Sequence, residues 1–253
     1  MKKISIIIAT YNASSTLKRC LDSIVEQLTE ECELILIDGK SRDSTNQIIE
    51  SYGATIDVHI SEPDSGIYDA WNKGVTLCNG QWVMFLGADD QLERSALSKY
   101  LICIDKLPYS TYDLVSSKRK MFDEQGKEIR TVGKKWDWPS CLSGMPISHP
   151  GALHNHRLFD MHGLFTCDYK IAGDYELLMR NGKYLKTYFI DEVTVLVQEG
   201  GISDSIDAIF EYYSILRKCA LKSELVCFYL GGVVCAKYFI KKLFRLFSLN
   251  VHM

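Results

Sequence analysis

Apolar runs and helical periodicities alternate through the first part of the chain. Ile4–Ala9 is a continuous apolar run rich in β-branched residues, typical of a strand buried on both faces. The spacing of Leu17, Leu21 and Ile24 predicts a helix after it, with Ser14 as a candidate N-cap. The same reasoning predicts strands at Glu33–Ile37, Asp57–Ile60 and Gln81–Leu86, and helices at Asp43–Tyr52 and Ile67–Cys78. This alternation predicts an α/β fold with a parallel, doubly wound sheet.

The pattern is less regular after the fourth predicted strand. It predicts helices at Glu93–Cys103, Ile171–Arg180 and Ser205–Lys218, and strands at Asp113–Ser117, Lys120–Val132, Lys186–Ile190 and Val193–Val197. A turn at 123–126 interrupts the second of these strands, and the aromatic and Gly/Pro-rich stretch 136–150 is expected to be a loop.

The C-terminal tail has its own pattern. Residues 222–253 hold five basic residues and one acid, whereas the whole chain has a net charge of −3. Leu225–Ala236 is uncharged but too short to span a bilayer. On a helical projection the cations that follow it lie on one side and apolar, aromatic residues on the other; these cations are Lys237, Lys241, Lys242 and Arg245. This pattern predicts a C-terminal amphipathic helix on an anionic membrane surface. Packing on the body of the protein or on a second subunit is the alternative.

Composition excludes several classes of protein. Apolar residues make up 47% and charged residues 24% of the chain, which is ordinary for a globular protein and excludes disorder as the main content. No overall basic field indicates nucleic-acid binding. The nine cysteines form no CxxC pair, so we expect reduced thiols in the cytosol.

Polar clusters follow the predicted strands. Thr10-Tyr11-Asn12 follows the first, Asp38 to Asp43 the second, and Asp89-Asp90 the fourth. The carboxyl ends of parallel strands meet at one edge of the sheet, where ligands bind in such folds. We therefore expect a ligand cleft at this edge.

Asp89 and Asp90 are candidate metal ligands. Two adjacent carboxylates at the end of a buried strand repel each other and lose hydration, and one Mg²⁺ or Mn²⁺ ion relieves both costs. The alternative is that Asp90 caps a helix that follows it. Asp38 could accept hydrogen bonds from a ribose or base, or merely form a turn with Gly39; Asp43 could cap the second helix.

Two further segments leave alternatives open. In a helix over 67–78, Asp69 would pair with Lys73 and Tyr68 with Asn72, as in any salt-bridged surface helix. Asp174 opens a predicted helix behind Gly173, which permits close backbone approach. It is either an N-cap or a carboxylate that enters a cleft from a second region of the chain.

The ordered set of motifs resembles family 2 glycosyltransferases, which have the GT-A fold. The resemblance covers residues 3–205, and the matching pieces are Ser5–Asn12, Leu36–Thr45, Ser65–Gly74, Phe85–Asp90, His149-Pro150, Ala172–Glu176 and Gly200–Ser203. No dinucleotide fingerprint, P-loop or nucleophile elbow competes with it. The chain looks most like bacterial enzymes that extend lipid-linked surface polysaccharides.

The resemblance implies roles for individual residues. Asp38 would bind the nucleobase, with Thr10, Tyr11 and Asn12 around it, and Asp69, Lys73 and Asp89 would contact the nucleotide or donor sugar. Asp90 would hold Mn²⁺ or Mg²⁺, and Asp174 would be the catalytic base. Many relatives have an acid at the position of Gly87, and its absence here weakens the expectation of metal dependence.

The resemblance also implies an overall function. It implies inverting transfer from a nucleotide sugar, such as a UDP-sugar, to a hydroxyl of a polyprenyl-diphosphate-linked saccharide. The expected organisation is a GT-A domain over 1–205, with a nucleotide-sugar half (1–92) and an acceptor half (93–205), and a membrane-associating tail over 206–253. The expected location is the cytoplasmic face of the inner membrane, with a homo-oligomer as a further option. The alternatives are a sugar-nucleotide nucleotidyltransferase and an inactive sugar-binding scaffold.

Overall fold

The computed structural model describes residues 1–123, 125–201 and 205–219, with isolated positions between 226 and 240. Its strands are β1 (Ile4–Thr10), β2 (Cys32–Asp38), β3 (Val58–Ser61), β4 (Trp82–Gly87), β5 (Gln91–Leu92), β6 (Leu114–Phe122), β7 (Glu128–Val132), β8 (Leu153–Asn155) and β9 (Thr187–Gln198). Its helices are α1 (Leu17–Val25), α2 (Thr45–Ser51), α3 (Ile67–Leu77), α4 (Ala96–Lys106), α5 (Trp138–Cys141), α6 (Arg157–His162), α7 (Gly173–Asn181) and α8 (Ile206–Cys219).

The first four strands form the predicted parallel sheet. Their order is β3-β2-β1-β4, and β1 pairs in parallel with both β2 and β4. The register places Thr10 beside Asp38, so the carboxyl ends of β1 and β2 end level with each other. Six predicted elements of this half occur within a few residues of their expected bounds, and the prediction of a parallel sheet is confirmed.

Two apolar cores sandwich this sheet. Alternate residues of β1 face opposite sides: Ile6 and Ile8 pack with α1 and α4, whereas Ile7 packs with Trp71 of α3 and with the later helices. All three isoleucines are fully buried. Burial on both faces explains why β1 is a continuous apolar run and not an alternating one.

The second half departs from the predicted elements. The predicted strand Asp113–Ser117 and the first part of the predicted strand Lys120–Val132 form one strand, β6, and the last part of the latter forms β7, which pairs with β6. The two strands predicted on either side of residue 191 form β9. β6 and β9 pair in parallel with each other. The charged residues at the two expected strand breaks form ion pairs: Lys118 with Asp191, and Glu192 with Lys99 of α4. β8, α5 and α6 were not predicted, because each is too short to show a period.

α8 occurs as predicted and packs on α7. Its buried residues are Tyr212, Ile215 and Leu216, and the ring of Tyr212 lies 5.0 Å from that of Tyr175. The predicted basic amphipathic helix, with Lys237, Lys241, Lys242 and Arg245, lies outside the described residues. In the portion of the chain that is described, no helix is both long and apolar enough to cross a membrane.

Candidate active site

Asp38 lies at the centre of the hydrogen bonds that join the ends of β1, β2 and β3. Its carboxylate is fully buried and accepts from Thr10 Oγ1 (3.0 Å), Ser61 Oγ (2.6 Å) and Asn46 Nδ2 (3.1 Å). The amide and hydroxyl of Ser41 also donate to it, at 2.9 and 2.5 Å. Burial acts to raise the pKa of Asp38, but these donors outweigh it and hold the pKa below its usual value. Asp38 therefore remains ionised and fixes the walls of the cleft.

The loop after β1 is pinned to the loop after β2. Asn12 has a left-handed backbone (φ 50°), its amide donates to Ser41 Oγ at 2.8 Å, and its Oδ1 accepts from the Arg42 amide at 2.9 Å. Tyr11 is 63% exposed. A large exposed aromatic ring beside a fixed polar loop is available to stack on a planar ligand.

Asp43 links two elements, and it is not the N-cap of α2 as predicted, because that residue is Ser44. It accepts from the amide and hydroxyl of Thr45 at the start of α2 and from the amide of Ser14 at 3.1 Å. These donors hold its pKa well below the usual range. The prediction that Ser14 caps the first helix is wrong: α1 begins after Thr16, and Ser14 serves as a donor to Asp43.

Asp90 is a buried carboxyl group without a helix to cap. The strand β5 follows it and α4 begins only at Ala96, so the capping alternative is excluded. Asp90 is 5% exposed, whereas Asp89 is exposed. Burial, followed by the charge of Asp89, raises the pKa of Asp90 to about 7.

Gly87 leaves a space that both carboxyl groups occupy. A Cβ atom on residue 87 would lie 2.7 Å from Asp89 Oδ1 and 2.9 Å from Asp90 Oδ2. The two side chains therefore converge above Gly87, where relatives with an acid would have a third carboxylate. No group of three or more metal-ligating side chains occurs among the described residues.

The start of α3 differs from its predicted pairings. Asp69 accepts from the amide and hydroxyl of Ser65, at 2.9 and 3.2 Å, in the first turn of the helix. Lys73 forms its ion pair with Glu62 (2.9 Å) and not with Asp69, and it also donates to the Pro63 carbonyl.

The predicted pair of Tyr68 and Asn72 is also wrong. Asn72 holds the backbone of Phe165 through both its amide and its carbonyl. Both residues of the predicted pair therefore reach from α3 to the second half of the chain.

Tyr68 and Asp174 join the two halves of the chain. The Tyr68 hydroxyl lies 2.7 Å from the Ile171 carbonyl and 3.2 Å from Asp174 Oδ1. A Cβ on Gly173 would lie 2.8 Å from the Tyr68 ring, so the expected close approach at Gly173 is confirmed. The N-cap of α7 is Ala172, and hence Asp174 is not the N-cap. Burial raises the pKa of Asp174 to about 6, although its side chain keeps 23% exposure to solvent.

His149 lies behind Asp174. Its Nδ1 is 3.6 Å from Asp174 Oδ2, which is too long for a good hydrogen bond. Its ring is stacked against Trp71 at 5.5 Å, and burial, then Arg119, lowers its pKa to about 3. His149 is therefore neutral, and the contact with Asp174 is not an ion pair.

Glu211 of α8 holds the segment that leads to Asp174. Its carboxylate accepts from three consecutive backbone amides, those of Lys170 (2.7 Å), Ile171 (2.9 Å) and Ala172 (2.8 Å). A carboxylate at a helix N-terminus satisfies free amides and opposes the positive end of the helix dipole. Glu211 thereby fixes the position of α7 and of Asp174.

Arg119 of β6 places a positive charge near Asp90 and Asp174, the two carboxyl groups whose pKa values are raised. Its charge acts on the pKa of Asp90 and of Asp174, lowering both against the effect of burial. Its Nε is buried without a hydrogen-bond partner, as is that of Arg130 on β7. Among the described residues, no hydrogen-bond acceptor pairs with either of these two Nε atoms.

Sequence reasoning missed four residues of this site. Tyr68 and His149 stood inside the quoted motifs but had no role of their own, and Glu211 follows only from the packing of α8. Arg119 had a usable signal: in a continuous strand, its side chain would point to the face opposite Lys118 and Lys120. The predicted break at residue 118 hid that alternation.

Comparisons with known proteins agree with this geometry. The family model described as "Glycosyl transferase family 2" matches residues 5–157. A "PGL/p-HBAD biosynthesis glycosyltransferase" of Mycobacterium bovis is 32% identical over 214 residues, covering 80% of this chain and 79% of the relative. Chondroitin synthase of Escherichia coli is 26% identical over 187 residues, covering 70% of this chain and 26% of that protein.

Two solved structures share the fold. S. aureus TarS 1–349, in complex with UDP-GlcNAc, matches with a TM-score of 0.68 and 18% identity, over 99% of this chain and 76% of that one. The mannosyltransferase PcManGT from Pyrobaculum calidifontis, in complex with GDP-Man and Mn²⁺, matches with a TM-score of 0.65 and 18% identity, over 88% and 65% of the two chains. These matches favour neither the nucleotidyltransferase nor the inactive scaffold. The chain is a glycosyltransferase with the GT-A fold and belongs to glycosyl transferase family 2.

Proposed function

We propose that this glycosyltransferase moves a sugar, with inversion, from a nucleotide sugar to an acceptor hydroxyl, and that Asp174 is the catalytic base. The carrying observation is that Asp174 comes from the second half of the chain yet contacts Tyr68 of the first half. Its raised pKa of about 6 suits a group that must take up a proton near neutral pH. Residues 1–92 would bind the nucleotide sugar, 93–205 the acceptor, and 206–253 the membrane.

The nucleotide would bind at the ends of β1 and β2. Tyr11 would stack on the base, while Thr10, Asn12 and Asp38 shape the pocket around it. Asp38 is already saturated by internal donors, so a base N–H would have to share or displace one of them. Asp89, which is exposed, could reach the ribose or the sugar, whereas Asp69 would do so while its carboxylate still accepts from Ser65.

The two carboxyl groups above Gly87 fit a divalent cation. Two convergent oxygens and a buried acid with a raised pKa form a site that gains from a hard cation. Asp90 would hold the ion and Asp89 would support it. When bound, Mn²⁺ or Mg²⁺ would supply Lewis-acid stabilisation of the diphosphate. Among the described residues only these two carboxylates converge above Gly87, so further ligands would have to come from outside the chain.

The protein groups divide the chemistry between two sides of the sugar. Asp174 would accept the proton of the acceptor hydroxyl as that oxygen attacks the anomeric carbon and the diphosphate leaves from the opposite face. Tyr68 and Glu211 hold Asp174 and α7 in place for this step. Lys73 could assist the leaving group only by exchanging its partner Glu62 for a phosphate.

We further propose a lipid-linked saccharide acceptor at the cytoplasmic face of the inner membrane, as in the synthesis of bacterial surface polysaccharides. The support is the basic, apolar pattern of residues 225–247.

A panel of sugar nucleotides, incubated with Mn²⁺ or Mg²⁺ and assayed for nucleoside diphosphate release, tests the donor step. Adding a synthetic polyprenyl-diphosphate saccharide tests the acceptor. We expect one donor to be hydrolysed slowly alone and faster with the acceptor. If no sugar nucleotide is bound or turned over, the proposed function is wrong.

A further inference from the structure

Arg119 and Arg130 lie side by side on one face of the sheet. In the antiparallel pair β6–β7, Arg119 is opposite Val132 and Met121 is opposite Arg130. Residues two apart on a strand share a face, so the two arginines are diagonal neighbours on that face. Burial lowers the pKa of Arg119, and the charge of Arg130 lowers it further, whereas the charge of Asp90 acts in the opposite direction.

The pair keeps hydrogen-bond donors that its neighbours do not use, although the charges of Asp90 and Asp174 act on Arg119. Each Nε is buried without a partner, and the ion pair of Arg130 with Glu199 is long, at 3.5 Å. A buried Nε without a hydrogen-bond partner is unfavourable, and an anion that accepts from both half-buried arginines would satisfy the two atoms. The pair is therefore prepared for an anionic group that comes from outside the chain.

Strand order places this pair on the acceptor side of the site. Asp90 lies between β4 and β5. Along the strand path, β2, which ends at Asp38, is two strands from β4 on one side, and β6, which carries Arg119, is two strands from β4 on the other side. The charge of Arg119 also reaches Asp174, the group that would meet the acceptor hydroxyl.

We propose that Arg119 and Arg130 form a subsite for a phosphate group of the acceptor. A carboxylate is satisfied by one bidentate fork, whereas a phosphate has enough charge and oxygens to be shared between two. This inference rests on the proposed function, because it assumes that the group meeting Asp174 is the acceptor. It implies that the acceptor is recognised by its phosphate as well as by its sugar.

Binding of inorganic phosphate tests the subsite directly. The ³¹P resonance of phosphate is titrated with the full-length protein in Mg²⁺ buffer, with the donor site filled by saturating UDP. We expect saturable broadening that persists with UDP and weakens about tenfold or more in Arg119→Gln, as expected when a charged hydrogen-bond partner is lost. Arg119→Lys, which keeps the charge and loses the fork, should bind about threefold or more weakly.

Lys120→Gln is the matched control. Lys120 is the next residue of β6 and pairs with Glu128 at 3.2 Å, so its loss should leave phosphate binding unchanged. UDP binding is measured first in every variant; if Arg119→Gln no longer binds UDP, Arg119→Lys decides the test.

The inference is overturned if phosphate fails to bind, binds only without UDP, or binds equally to wild type and the Arg119 variant. Binding only without UDP would assign the arginines to the donor diphosphate. If UDP fails to bind to wild type, the titration is repeated with GDP and the other nucleoside diphosphates of the donor panel; if none of them binds, the proposed function fails as well.

Discussion

The two halves of the molecule treat their buried polar groups differently. In the first half, Asp38 and Asp43 are saturated by donors from their own strands and loops, and both have lowered pKa values. In the second half, Arg119, Arg130 and His149 each keep a buried nitrogen without a partner, and Asp174 has a raised pKa. The two acids of the first half are satisfied without ligand, although Asn46 Oδ1 and Trp71 Nε1 of that half are also buried without a partner, whereas in the second half the unpartnered nitrogens belong to cationic or titratable side chains near Asp174.

This difference assigns different tasks to the halves. A preorganised pocket binds a common ligand such as a nucleotide without rearrangement. Unsatisfied groups are costly, and they are retained where they act on a substrate. Asp90 belongs to the first half by sequence but to the second by its raised pKa, and it lies where the halves meet.

Loss of the base should have the largest effect. Asp174→Asn should reduce transfer by about 10²–10⁴-fold, because a well-placed general base contributes about that much. Nucleoside diphosphate affinity should change less than about twofold. Steady-state transfer assays and UDP titrations measure both. Retained transfer would show that another group is the base.

Loss of the buried acid should change stability with pH in the metal-free protein. The pKa of Asp90 is raised above its unfolded value, so the folded state holds its proton between about pH 4 and 7. Stability is therefore present at low pH and is lost as pH rises through about 7. Asp90→Asn should remove up to about 4 kcal/mol of this decline.

Urea unfolding at several pH values, with a chelator present, checks this second prediction. Asp89→Asn, at the exposed neighbour, is the matched control and should change the profile less. Parallel stability profiles for wild type and Asp90→Asn would contradict the raised pKa.

Breaking the saturated pocket should affect folding as well as binding. In Asp38→Asn, the NH₂ group of the new amide is a donor, and it would face the hydroxyls of Ser41 and Ser61, which also donate at this position. We expect unfolding free energy to fall by about 2–3 kcal/mol and UDP binding to weaken. Urea unfolding with parallel UDP titration checks this. A variant that loses UDP binding at full stability would instead make Asp38 a direct ligand only.

The smallest expected effect concerns the support of the base. Glu211→Ala removes the acceptor of three amides before α7, and turnover should fall about tenfold with UDP affinity unchanged. Glu211→Gln, which retains one acceptor oxygen, should recover part of the loss. Asp207→Ala, an exposed acid of the same helix, serves as the control. If UDP affinity and turnover fall together, Glu211 has a general structural role.

The same contrast determines what sequence reasoning could predict. The first half was predictable because continuous apolar strands such as Ile4–Ala9 alternate with amphipathic helices. The full lengths of β6 and β9 were not predictable, because charged residues such as Lys118 and Asp191 look like strand ends in the sequence, and only the structure shows their ion pair. Asp38, Asp89 and Asp90 were found at strand ends. The contacts of Tyr68 and Glu211 depend on residues about 40 to 110 positions away, and the charges that act on Arg119 come from other elements, so no local pattern contains them.

Calorimetric titration of UDP with Mn²⁺ into Asp90→Asn and Asp174→Asn tests the division of labour most directly. These variants neutralise the two carboxyl groups with raised pKa values, which the proposed mechanism assigns to opposite sides of the transferred sugar. The account predicts that Asp174→Asn binds UDP like wild type, while Asp90→Asn binds at least about tenfold more weakly. Equal affinity in both variants, or a loss confined to Asp174→Asn, would contradict it.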